Sequence, residues 1–171
     1  MLGSVETILR ALNDADVRYL VVGGVAVVLH GRLRVTADLD LVVQLEPANV
    51  GRAIAALERL GFRPRAPVAA ASFADEAVRR GWIEQKGLTV FSLWSPGVPG
   101  FELDLFVAEP FDFDAAYDRA TRVPLRTTHA PVLSIDDLIA MKRAVGRPQD
   151  VDDVAALEAL REGGRPPERA G

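Results

Sequence analysis

Two aspartates with one residue between them, Asp38 and Asp40, stand at the beginning of a predicted strand. Because side chains alternate between the two faces of a strand, both carboxylates project from the same face. Two like charges this close need a counterion, and magnesium prefers hard oxygen ligands while keeping room for water and phosphate. Acidic residues are also common at solvent-exposed strand ends, where they bind no metal. The pair on its own therefore leaves a metal site and a solvated strand end as alternatives.

A glycine pair precedes these acids in the sequence. Gly23 and Gly24 follow a predicted buried strand and open a predicted short helix. Glycine lets a ligand approach the backbone closely, and the free amides at a helix N-terminus bind phosphate. We interpret the pair as a phosphate-binding turn, with a plain strand-to-helix turn as the alternative. A dinucleotide-binding turn fits less well, because the glycine spacing differs and the acids begin the next strand.

A third carboxylate lies in the predicted strand 101–107. Asp104 and Glu102 share one face of this strand, opposite Leu103 and Leu105, and either acid is a candidate ligand. A solvated outer face would explain them equally well. If this strand neighbours the one that carries Asp38 and Asp40, Asp104 completes a site able to hold two ions about 3.5–4 Å apart.

The elements that must position these residues follow from hydrophobic periodicity and from glycine and proline signals. We predict an α/β (α+β) fold, a mixed β-sheet flanked by helices, as a single domain over residues 1–162. The polar tail 163–171, rich in proline and glycine, is predicted to be disordered. Helices are predicted at residues 4–15, 25–30, 47–60, 73–80, 113–120, 134–145 and 148–161. Strands are predicted at residues 17–22, 39–45, 82–85, 88–94 and 101–107, with one or two short ones after residue 120.

Lysine is rare in this chain, since only Lys86 and Lys142 among the 20 basic residues are lysines. Ile135, Leu138, Ile139 and Lys142 recur at helical spacing, which places Lys142 on the inward stripe of its helix. We expect it to point into a cleft and to face phosphate. Ser134 and Asp137 fit a helix start. Arg147, Asp150 and Asp153 surround the start of the last helix, where mutual pairing is the favoured interpretation.

Composition narrows the class of protein further. The 171 residues contain no cysteine, which excludes disulfides and thiolate metal sites and favours a reducing cytoplasm. The longest charge-free run falls short of a membrane span, and Glu6 and Arg10 interrupt the start, so we expect neither a span nor a signal peptide. A net charge of −4 argues against broad nucleic-acid binding.

The combined pattern resembles a known superfamily. Gly23-Gly24, then Asp38-Leu39-Asp40, then Asp104 on a later strand is similar to the DNA polymerase β superfamily of nucleotidyltransferases. The segment from Arg34 to Leu41 resembles AbiEii-like minimal nucleotidyltransferases, some of which are toxins of bacterial toxin–antitoxin pairs. Lys142 together with Arg147, Asp150 and Asp153 resembles the C-terminal signature of that group.

The resemblance implies a specific reaction. A nucleoside triphosphate would lie over Gly23 and Gly24, with Arg34, Thr36 and Lys142 as further nucleotide-binding residues. Asp38, Asp40 and Asp104 would be catalytic and would hold two Mg²⁺ ions while a nucleotidyl group moves to an acceptor. That acceptor is an RNA 3′ end, a small molecule or a protein, and an antitoxin-type partner is expected for a toxin. The rival hypotheses are a non-catalytic nucleotide-binding or protein-interaction module of the same fold and a magnesium phosphoesterase.

Overall fold

The structure is a computed structural model that describes residues 2–98 and 101–163. Seven strands of these residues form one mixed sheet in the order β3-β4-β5-β2-β1-β7-β6. The strands are β1 Tyr19–Val22, β2 Asp38–Val43, β3 Arg63–Pro64, β4 Val90–Trp94, β5 Glu102–Phe106, β6 Thr121–Pro124 and β7 His129–Val132. The helices are α1 Leu2–Asp14, α2 Gly23–Leu29, α3 Pro47–Arg59, α4 Glu76–Lys86, α5 Phe113–Asp118, α6 Ile135–Val145 and α7 Pro148–Arg161, with a 3₁₀ helix at Ala70–Ala74.

The centre of the sheet is formed by β2, which pairs in parallel with β5 and antiparallel with β1. In this register Asp40 lies beside Asp104 on one side and beside Val22 on the other. The predicted adjacency of the two acidic strands is therefore confirmed. On its other side, β5 pairs antiparallel with β4.

Part of the core lies on the face of the central strands opposite the acids. The leucines that alternate with the acids are fully buried, at Leu39, Leu41, Leu103 and Leu105. Burying a leucine side chain contributes about 1.5–3 kcal/mol, so these four hold β2 and β5 in a fixed register. That register decides which carboxylates meet on the other face.

The predicted strand at residues 82–85 is wrong, because this segment belongs to α4. The Asp75 carboxylate accepts hydrogen bonds from amides of the first turn, and Gly87 ends the helix in the left-handed conformation. Trp82 stacks on Phe91 of β4 with ring centroids 5.2 Å apart. Helix caps and this tertiary contact outweigh the local β-propensity of the segment.

The two C-terminal helices begin where the sequence predicts. The Ser134 hydroxyl accepts a hydrogen bond from the Asp137 amide at 3.2 Å, and Pro148 occupies the first turn of α7. Apart from Gly163, the predicted tail 163–171 lies outside the described residues. None of the described helices has the length and apolar character that crossing a bilayer requires.

Candidate active site

The three predicted carboxylates lie on one face of the sheet. Asp38 and Asp40 are two residues apart on β2, and Asp104 is the direct neighbour of Asp40 on β5. Adjacent strands are about 4.8 Å apart, so the side chains of this pair stand close together. Asp38 is exposed, whereas Asp40 and Asp104 are half-buried.

Asp40 occupies an environment that disfavours its charge. Burial raises its pKa, the charges of Asp104 and Asp38 raise it further, and the result is a pKa of about 6. The Gly24 backbone amide and the Lys142 ammonium act in the opposite direction without cancelling the effect. Ionised Asp40 therefore needs a positive counterion that these residues supply only in part.

Asp104 carries an oxygen that is not hydrogen-bonded. Its Oδ1 atom is buried and, among the described residues, has no hydrogen-bond partner. Burial raises the pKa of Asp104, and the neighbouring charges of Asp38 and Glu102 add to this, while Ser92 on β4 lowers it. Sequence reasoning missed Ser92, since nothing local marks a serine in strand β4 as the neighbour of an acid on β5.

The competing candidate Glu102 is already engaged by a surface cation. Its carboxylate accepts a hydrogen bond from Arg65 and forms an ion pair with the same guanidinium. Asp104 makes no such ion pair within residues 2–98 and 101–163. The structure thus favours Asp104 over Glu102 as the third member of the acidic site.

Gly23 and Gly24 form the turn that faces Asp40. Gly23 has a φ of 64°, and a Cβ atom there would lie 1.9 Å from Asp40 Oδ2. Only glycine fits, because it removes both the conformational strain and the clash. At the start of the seven-residue α2, the Gly24 amide lies near the Asp40 carboxylate and stabilises its charge. The predicted turn is therefore in direct contact with the acidic site.

Arg34 and Thr36 pack over the second glycine. A Cβ atom on Gly24 would lie 2.6 Å from Thr36 Oγ1 and 3.2 Å from Arg34 Cζ. The Thr36 hydroxyl donates to the Asp38 carbonyl oxygen at 3.3 Å. Both residues, predicted as nucleotide-binding, thus lie against the glycine turn.

Lys142 is buried, at 6% exposure, on the inward side of α6 as its spacing predicts. Its Nζ atom lies 2.8 Å from Asp153 Oδ2 and 3.2 Å from Asp150 Oδ1. The same Asp153 oxygen also pairs with Arg34. Lys142 therefore joins α6, α7 and the loop before β2, and it faces two carboxylates in addition to the acidic site.

Arg147 pairs with Asp150 at 2.8 Å, in agreement with the favoured interpretation of the last helix start. Burial raises the pKa of Asp150, but hydrogen bonds from Arg147 and Lys142 outweigh it, and the pKa is lowered. These contacts belong to an ion cluster at the N-terminus of α7. Its members are the cations Arg32, Arg34, Lys142 and Arg147 and the carboxylates Asp150 and Asp153. Four positive charges against two negative ones leave an excess of positive charge beside Asp40.

The donor set fits a hard divalent cation. Among the described residues, no three acidic or histidine side chains are already gathered at metal-binding distances. The acids nevertheless have what magnesium requires: carboxylate oxygens only, one of them buried without a partner, and in Asp40 a pKa raised by burial and by the neighbouring acids. Asp38, Asp40 and Asp104 are the residues that would hold such an ion.

Family comparison identifies the class of protein that this fold and site define. The sequence model of the family described as "nucleotidyltransferase of unknown function (DUF6036)" matches residues 2–162. The chain belongs to this nucleotidyltransferase family. A comparison with curated proteins gave no significant match.

Solved structures show the same fold. A lincomycin-bound lincosamide antibiotic adenylyltransferase, LnuA, superposes with a TM-score of 0.64 at 15% identity, covering 94% of this chain and 98% of that one. The antibiotic-resistance factor ANT(2'')-Ia in solution gives a TM-score of 0.59 at 17% identity, covering 93% and 88%. Its crystal structure with adenylyl-2''-tobramycin gives 0.57 at 17%, covering 94% of each chain. The predicted nucleotidyltransferase fold is confirmed, whereas the AbiEii-like subgroup stays a prediction.

Proposed function

We propose that this protein is a magnesium-dependent nucleotidyltransferase that moves a nucleoside monophosphate from a nucleoside triphosphate to an acceptor hydroxyl. The observation that carries the proposal is the pairing of Asp40 with Asp104 across β2 and β5, with Asp38 on the same face. One member has a pKa of about 6 and another a buried oxygen without a hydrogen bond. Such groups are stabilised by a divalent cation and its bound phosphates.

The residues around the acids support binding of the triphosphate. Gly23 and Gly24 leave the backbone open beside Asp40. Arg34 and Lys142 belong to the cluster with excess positive charge, and Arg34 lies against Gly24 of this turn. Opposite charge in a half-buried cleft attracts and orients phosphate groups. We assign Gly23, Gly24, Arg34, Thr36 and Lys142 to this role.

Catalysis in such a site consists of positioning and charge neutralisation. Asp104 lies on the β5 side of Asp40, whereas the glycine turn continues from β1 on the other side. We therefore assign the acceptor to the Asp104 side of the site and the triphosphate to the Gly23 side. When bound, magnesium would acidify the acceptor hydroxyl and neutralise the charge that develops on the pyrophosphate.

The proposal is tested with each of the four nucleoside triphosphates labelled at the α-phosphate, magnesium, and either total RNA or a small-molecule extract. Transfer gives a labelled acceptor and free pyrophosphate. Labelled monophosphate alone would indicate a phosphoesterase, and no turnover with retained nucleotide binding would indicate a binding module.

Two variants test the assigned site. Asp38→Asn should abolish labelling of the acceptor, while Asp118→Asn, an exposed change on α5, should leave the labelling unchanged. Undiminished labelling by Asp38→Asn would refute the assigned site. The toxin–antitoxin role stays a prediction that a co-purifying partner would support.

A further inference from the structure

A groove of about 340 Å³ opens between α6 and the end of β5. Its walls are mainly carbon, and the residues that matter here are Phe106, Phe111, Ala140, Met141, Ala144 and Val145. The volume lies in the range of small-molecule sites. The alanines are exposed and Val145 is 55% exposed, so the groove is an accessible apolar surface.

The position of the groove relates it to the acceptor side of the site. Phe106 follows Asp104 by two residues on β5 and shares its face, which places the two side chains about 7 Å apart along the strand. The glycine turn lies at β1, on the opposite side of β2. The groove therefore borders β5, the strand of Asp104, and has no lining residue on β1, from which the glycine turn continues.

Within the part of the chain that the structure describes, the groove presents no free charge to a ligand. Asp137 is the one titratable side chain among the residues that line it. Its carboxylate accepts hydrogen bonds from Arg119 at 2.6 and 2.8 Å and from the Ser134 hydroxyl at 2.6 Å. A polycationic acceptor would find no unpaired acid here, and a nucleic-acid strand would find no cation along these walls.

We propose that the acceptor is an uncharged small molecule with an apolar body in this groove and a hydroxyl group at Asp104. This inference rests on the proposed function. The acceptor oxygen attacks the α-phosphorus and forms a new P–O bond, while the bond between the α-phosphorus and the bridging oxygen breaks. Pyrophosphate leaves with that electron pair, and the hydroxyl proton is released to water.

The test uses two neutral probes with the same hydroxyl groups, hexyl β-glucoside and methyl β-glucoside, and tobramycin as a polycation. Binding to the full chain is measured by saturation-transfer NMR, and transfer is measured with the α-labelled triphosphates. Hexyl β-glucoside should bind at least about tenfold more tightly than the methyl compound, because five further methylene groups are buried.

Groove variants separate this inference from the proposed function. Ala144→Trp fills the groove from an exposed helix position, and Ala55→Trp, at an exposed position of α3, is the matched control. Ala144→Trp should bind hexyl β-glucoside at least tenfold more weakly with unchanged triphosphate binding, and Ala55→Trp should behave as the wild type.

Two results would refute the groove as the binding site of the acceptor. These are equal affinities of the wild type for the two glucosides and wild-type affinity of Ala144→Trp for hexyl β-glucoside. Undiminished labelling of RNA by Ala144→Trp would overturn the acceptor class but keep the transferase. Groove binding of hexyl β-glucoside with no labelled product from any triphosphate, whether the probes, RNA or the extract is offered, would overturn the transferase, and with it the acceptor role.

Discussion

Asp40 should make the protein less stable at neutral pH than an uncharged residue would. Its ordinary pKa is 3.8, and burial together with Asp104 and Asp38 raises the pKa to about 6 in the folded state. The folded state therefore binds a proton more tightly than the unfolded state does. Stability is lost as the pH rises from about 4 to about 6, and the loss is complete above that window.

The size of the effect follows from the two pKa values. The difference between 3.8 and about 6 corresponds to about 3 kcal/mol when Asp40 is fully ionised. Asp40→Asn removes the charge, keeps the shape and still accepts a hydrogen bond from the Gly24 amide. In magnesium-free buffer the variant should be more stable than the wild type by up to about 3 kcal/mol at pH 7.5 and by almost nothing at pH 4. It should also be inactive.

Urea unfolding at a series of pH values measures this difference directly, and titrating groups that do not interact with Asp40 cancel because both proteins contain them. Asp118→Asn, an exposed aspartate on α5, is the control and should differ from the wild type by less than about 0.5 kcal/mol at every pH. If Asp40→Asn has the same free energy of unfolding as the wild type at every pH, the charged carboxylate of Asp40 is not destabilised by its surroundings. The argument for a cation at this site would then fail.

Other substitutions test the turn and the ion cluster. Gly23→Ala should cost about 1–3 kcal/mol and abolish activity, because it strains a positive φ and displaces the Asp40 carboxylate. Gly51→Ala, in open space on α3, should instead stabilise the protein by about 0.5–1 kcal/mol, and thermal unfolding of both variants distinguishes the two outcomes. Asp153→Ala should cost about 3–5 kcal/mol, because it removes the ion-pair partner of the largely buried Arg34 and one of the two partners of Lys142. Asp152→Ala, at the exposed neighbouring position, should change the free energy of unfolding by less than about 0.5 kcal/mol. Equal losses of stability in the two variants would refute a stabilising role of the ion cluster.

The central part of the site could be predicted because its signals are local. Two acids at i and i+2 must share a strand face, and an acid between buried leucines, as at Asp104, must face away from the core. The glycine turn could also be predicted from local sequence, because Gly23 directly follows a strand that is predicted to be buried. Lys142 was placed on an inward helix stripe by spacing alone, and the structure confirms its burial.

The remaining features depend on contacts between distant parts of the chain. The pairing of Lys142 with Asp153 requires two helices to meet, and helix spacing gives no information about the partner. Ser92 reaches Asp104 only through the register of β4 with β5. The segment 82–85 was misassigned because its apolar residues suit a strand, while the caps and the packing of Trp82 impose a helix. Tertiary context overrides local propensity in such cases.

Binding of Mn²⁺, as a paramagnetic substitute for magnesium, tests the shared site most directly and requires no knowledge of the acceptor. Electron paramagnetic resonance counts the bound ions in the presence of a triphosphate with a non-cleavable α,β-methylene bridge. The wild type and Glu102→Gln should bind two ions, because Glu102 is paired with Arg65. Asp104→Asn should bind one ion or bind both at least tenfold more weakly. Wild-type Mn²⁺ binding by Asp104→Asn, with a loss in Glu102→Gln, would contradict the assignment of Asp38, Asp40 and Asp104 as one metal-binding site.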